Sequence, residues 1–84
     1  MSETVTLRFF GALRETLACD ALVLQRVPAT VEEMRRQLVA ERPQWRTALE
    51  DRQLWVAVNQ RMTTFSAPLQ AGDEVALFPP VTGG

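Results

Sequence analysis

The sequence predicts an α+β fold: a small mixed sheet with one main helix laid across one face. Three observations predict it. Two alternating segments near the start form a hairpin, a single strongly capped helical segment follows, and an apolar strand comes last. With 84 residues the chain is one small domain with room for a single core.

Val5-Thr6-Leu7-Arg8-Phe9-Phe10 alternates as a strand, with Val5, Leu7 and Phe9 on one face. Gly11 breaks it, and residues 12–17 read as a short helical turn. A second strand follows over residues 21–27, ending before Pro28. Cys19 lies in the connection and reads as a small, partly buried filler, because no basic or histidine neighbour marks it as a reactive thiol. Thr30-Val31-Glu32-Glu33 is a capping box that opens the main helix. Val31, Met34, Leu38 and the stem of Arg42 form its apolar stripe, which is core at this spacing. Glu32, Arg35, Arg36 and Glu41 turn outward, with Glu32 and Arg36 placed as an i, i+4 pair. Pro43 stops the helix.

Residues 44–51 hold a further helical turn with Trp45 and Leu49 packed inward. Leu54-Trp55-Val56-Ala57-Val58 is a strand, Asn59-Gln60 is a tight turn, and a short strand follows over residues 62–65. Residues 67–69 connect to the turn Ala71-Gly72-Asp73, which launches the last strand, Glu74-Val75-Ala76-Leu77-Phe78. The order β, β, α, β, short β, β is a β-grasp, or ubiquitin-like, arrangement. Alternation points Val75 and Leu77 at the helix, and Ala76 and Phe78 away from it. Phe10 and Trp55 fall on the open face by the same count. They are either a partner surface or are buried under a loop.

Composition excludes more than it suggests. The one cysteine, Cys19, permits no internal disulfide and no Cys-x-x-Cys pair, and histidine is absent. All nine basic residues are arginine, so a P-loop lysine and a Schiff base are both excluded. A self-sufficient enzyme is a poor reading of these parts, and no metal site is expected. The net charge of −1 argues against a nucleic-acid footprint. No apolar run reaches the roughly 20 residues of a membrane span, and no basic-then-apolar signal opens the chain, so the expected location is the cytoplasm.

Residues 1–78 therefore read as the β-grasp domain and residues 79–84 as a flexible tail. Proline fixes φ and biases its predecessor toward extended backbone, so Pro79 and Pro80 carry the chain outward as a semi-rigid arm through Val81 and Thr82. Gly83 and Gly84 have no Cβ and can pass a narrow channel. A glycine pair alone is also what a frayed terminus looks like. The stiff arm directly after an apolar strand favours a working tail.

Three stretches carry a family resemblance: Phe9-Phe10-Gly11-Ala12-Leu13-Arg14-Glu15, Ala57-Val58-Asn59-Gln60, and residues 69–84 with their Phe-Pro-Pro-Val-Thr-Gly-Gly ending. Together they resemble the small subunits of molybdopterin synthase, across essentially the whole chain. The Gly-Gly ending alone is shared with thiamine-pathway carriers and ubiquitin-like modifiers.

The resemblance implies a carrier that is no enzyme on its own. An adenylyltransferase would join the Gly84 carboxylate to AMP from ATP. A persulfide donor, such as a cysteine desulfurase or rhodanese-type protein, would then leave a thiocarboxylate. The arm would deliver that sulfur inside the large subunit, which turns cyclic pyranopterin monophosphate into the dithiolene of molybdopterin. The family's usual assembly is a heterotetramer. On this resemblance no cofactor is bound permanently, Gly84 carries the adenylate and then the sulfur, and Gly83 gives clearance. Phe78 and Phe10 are the candidate partner contacts, with Arg14 and Met62 as weaker ones. Two alternatives stay open: a carrier for thiamine or tRNA thiolation, and a protein modifier conjugated through its terminus.

Overall fold

The computed structural model describes residues 3–79. Its elements run β1 (Val5–Phe9), α1 (Gly11–Leu17), β2 (Ala21–Leu24), α2 (Val31–Glu41), a 3-10 turn (Pro43–Trp45), α3 (Arg46–Leu49), β3 (Trp55–Val58), β4 (Arg61–Thr63) and β5 (Glu74–Phe78). The five strands form one sheet in the order β2-β1-β5-β3-β4. β1 and β5 are parallel, and the other pairs are antiparallel. This is the mixed sheet of a β-grasp fold, and the last strand is its centre.

The core lies between one sheet face and the helices. Val5, Leu7, Phe9, Leu24, Val56, Val75 and Leu77 project from the sheet onto Val31, Met34, Leu38 and Val39 of α2, with Leu49 beside them. Trp45 meets the Phe9 ring edge-on, with centroids 5.6 Å apart at 78°. Alternation put Leu77 and Val75 on this face, and their register with Val56 and Val58 bears it out. The capping box forms as well: the Glu33 N–H donates to Thr30 Oγ1 at 3.1 Å. The Glu33 carboxylate reaches past Thr30 and accepts from the Ala29 N–H at 2.8 Å.

Several expected boundaries and positions shift, each for a local reason. β2 ends at Leu24 rather than at residue 27. Beyond Leu24 the chain turns toward α2, where the Arg26 guanidinium donates to Gln37 Oε1 and Glu41 Oε2, both at 2.7 Å. β4 covers Arg61–Thr63 rather than residues 62–65. The Phe65 and Ala67 carbonyls are taken by the Glu32 and Val31 N–H groups, at 2.8 and 3.1 Å, so this segment caps α2 and leaves the ladder. β1 stops at Phe9 and β3 starts at Trp55, each one residue inside the expected span.

Arg35 is not turned outward as the helical pattern implied. Its guanidinium lies 4.4 Å from the Phe65 ring centroid and is held by Glu32 and the Leu49 carbonyl. A flat cation covers an aromatic face that the helix would otherwise leave wet. The Glu32–Arg36 pair forms at 3.2 Å. Arg42 sits at the end of α2 with its guanidinium 4.9 Å from the Trp45 ring centroid.

Candidate functional site

The site expected from sequence is a tail and the surface from which it leaves. Gly84, Gly83, Thr82, Val81 and Pro80 lie outside the described residues. Pro79, the last described residue, fixes where the tail begins.

β5 delivers the chain to that point. Both its edges are paired, by β1 and by β3, so the strand is held over its whole length. Its start is clasped as well. Asn59 Nδ2 donates to Asp73 Oδ1 at 2.9 Å, the Glu74 N–H donates to Asn59 Oδ1 at 3.0 Å, and the Asn59 N–H donates to the Glu74 carbonyl at 2.8 Å. At the other end the Phe10 N–H donates to the Leu77 carbonyl at 3.2 Å, and the Phe10 and Phe78 rings stack 5.0 Å apart at 11°. Pro79 then comes to rest against Gly11.

The open face of the sheet lies beside this exit. Ala57 and Ala76 pair across β3 and β5 and form a low floor. The Phe10–Phe78 stack rises on one side and Met62 of β4 on the other, around a hollow of about 430 Å³. Arg8 and Glu74 border it as an ion pair at 3.6 Å. Phe10, Trp55 and Met62 are 37%, 53% and 56% exposed, so no loop among the described residues covers them. Three large apolar side chains, Phe10, Phe78 and Met62, thus stand around a floor of small ones.

Of the four partner-contact candidates, the structure brings together Phe78, Phe10 and Met62. Arg14 stands apart on α1, where its Nε lies 3.5 Å from Asp20 Oδ1. Cys19 is half-buried against the core, and its thiol donates to the Ala21 carbonyl at 3.5 Å, as befits a filler. Among the described residues, no group of three or more cysteine, aspartate or glutamate side chains converges on a metal-sized site. No described helix is long and apolar enough to cross a membrane.

Sequence reasoning missed two features. Ala57 was legible as open-face by the alternation that placed Trp55, but small residues attract no notice in a search for contacts. Gly11 was read as a strand break and as part of a resembling stretch, never as a contact for the tail. Its contact with Pro79 joins positions 68 residues apart, and no local pattern signals that. Pro79 also lines a second hollow, of about 280 Å³, with Leu13 and Thr16 of α1, Thr47 of α3, and Asp51 and Leu54.

Known proteins share this sequence and this fold. The sulfur carrier subunit of molybdopterin synthase from Escherichia coli is 47% identical over 76 residues, 90% of this chain and 94% of that one. The crystal structure of SAMP1 from Haloferax volcanii superposes with a TM-score of 0.79 at 27% identity, covering 96% and 99% of the two chains. A chain of the complex of subunits 1 and 2 of molybdopterin-converting factor from Helicobacter pylori gives 0.65 at 26% identity, covering 96% and 99%. A family model matches from the β1 strand to the terminus, over residues 7–84, and by that match the chain belongs to the ThiS family.

Proposed function

We propose that this protein is the sulfur carrier subunit of a molybdopterin synthase, loaded at Gly84. The observation that carries the reading is the 47% identity with the Escherichia coli carrier over nearly the full length of both chains. The structure supports it physically: a doubly paired central strand hands the tail to the rim of an exposed apolar face. A partner that docks on the Phe10–Phe78 stack and Met62 holds the domain still while its own pocket receives the arm.

The chemistry starts from an unreactive group. A carboxylate resists attack because oxide is a poor leaving group. Transfer of AMP from ATP, with pyrophosphate released, makes a mixed anhydride at Gly84. A persulfide sulfur then attacks the acyl carbon and expels AMP. A thiol splits the resulting acyl disulfide and leaves the thiocarboxylate. ATP and the persulfide are co-substrates brought by the partners: an adenylyltransferase and a cysteine desulfurase or rhodanese-type donor. The large subunit takes the sulfur into cyclic pyranopterin monophosphate. This chain contributes placement, and its arginine-only basic set leaves it no lysine to be modified in turn. The setting is cytoplasmic and the assembly a heterotetramer.

Intact mass tests the reading. Incubation with ATP, an activating enzyme and a persulfide donor is expected to add about 16 Da, and a thiol-reactive reagent removes the species, unlike oxidation of Cys19 or a methionine. An unmodified mass after that incubation overturns it. The likeness to SAMP1 favours one second reading, a protein modifier conjugated through its terminus. High-mass adducts in lysate, sensitive to loss of Gly84, are its signature.

A further inference from the structure

The geometry points to Gly11 as a positioning residue for the tail: it is the seat on which Pro79 rests, and it sets the direction in which the arm leaves the domain. β1 and β5 run parallel, with Phe9 opposite Leu77. The correspondence continues beyond the end of β1. Phe10 stacks on Phe78, and Gly11 lies under Pro79. A Cβ at Gly11 would stand 3.2 Å from Pro79 Cγ, closer than side chains normally pack, and 3.5 Å from its Cδ, an ordinary contact. A side chain there would press on the proline ring, which would have to give by a few tenths of an ångström.

Pro79 also stands between the two hollows, next to Phe78 on the open face and on the wall formed by α1 and Leu54. A shift there redirects everything beyond it. A displacement of a few tenths of an ångström at one Cα, 3.8 Å from the last, tilts the chain by several degrees. Misplacing a reacting atom by about 1 Å can cost about a hundredfold in rate.

Gly11 has φ +60° as well, so any side chain there also strains the backbone. The chain holds its own control. Gly72 has φ +88° with nothing within 4 Å of an added Cβ, so Gly72→Ala brings similar strain without touching the tail. The inference rests on the carrier reading, and the test separates the two. The wild-type chain, Gly11→Ala, Gly11→Asn, Gly72→Ala, Pro79→Ala and Gly11→Ala/Pro79→Ala would each be loaded by ATP, activating enzyme and persulfide donor, with rates read by intact mass. Asparagine tolerates left-handed backbone and still carries a Cβ, so it serves if the alanine variant fails to fold.

We expect Gly11→Ala and Gly11→Asn to lower kcat by about tenfold or more with KM for the carrier unchanged, because the docking face is intact. Gly72→Ala is expected to load at the wild-type rate. In the Pro79→Ala background the added cost of Gly11→Ala should largely vanish, since the ring it displaces is gone. Equal losses in Gly11→Ala and Gly72→Ala, or the same cost of Gly11→Ala with and without the proline ring, overturn the inference while the loaded wild type keeps the carrier reading. A wild-type chain that does not load overturns both.

Discussion

Single residues in left-handed backbone carry strain that the sequence does not announce. Ala18 closes α1 at φ 54°, its N–H donating to the Arg14 and Glu15 carbonyls. Glycine is the usual occupant of such a cap. Ala18→Gly is expected to stabilise the fold by about 1 kcal/mol, read as a higher midpoint in thermal unfolding. Gln60 sits at φ 68° beside Asn59 at 52° in the β3–β4 turn. The pair was legible as a tight turn because asparagine accepts this conformation. Glutamine does not favour it, and Gln60→Gly should gain a similar amount. Thr30→Ala, which removes the side-chain acceptor for Glu33, is expected to cost about 1 kcal/mol in chemical denaturation. The threonine was legible in the capping box. Ala18 was not, because an alanine inside a helical pattern reads as more helix.

At the scale of elements, alternation read the faces of the sheet well and the ends of two strands less well. The faces of β1, β3 and β5 followed from the period of two, since a strand with one buried face cannot slip without exposing its apolar set. β2 and β4 were overdrawn because their last residues have tertiary partners that no local pattern shows: Arg26 on α2, and the carbonyls of Phe65 and Ala67 on its N-terminus. The two faces of β5 should separate stability from docking. Leu77, fully buried, is expected to cost about 2–5 kcal/mol as Leu77→Ala. Phe78→Ala and Met62→Asp are expected to weaken partner binding at least tenfold while melting within a few degrees of wild type. Binding and melting measured on the same samples would check this. A large loss of stability in Met62→Asp would show the edge strand to be structural.

For the whole molecule, the candidate site divides between what a terminus displays and what a fold assembles. The tail could be proposed from sequence because its residues are consecutive; beyond Pro79 it lies outside the described residues. The open-face group of Phe10, Phe78 and Met62 was readable in part, through alternation and resemblance. The Pro79 seat was not, because strand pairing alone brings residue 11 to residue 79. The sheet order β2-β1-β5-β3-β4 has one more consequence. Synthesis produces two hairpins, β1–β2 and β3–β4, that share no ladder with each other. The strand that joins them is made last. A released chain that ends before residue 74 thus exposes the inner edges of β1 and β3 together, unpaired and flanked by core side chains. Completing the sheet then waits on its final strand, and a chain truncated short of it is the form most open to aggregation and to chaperones.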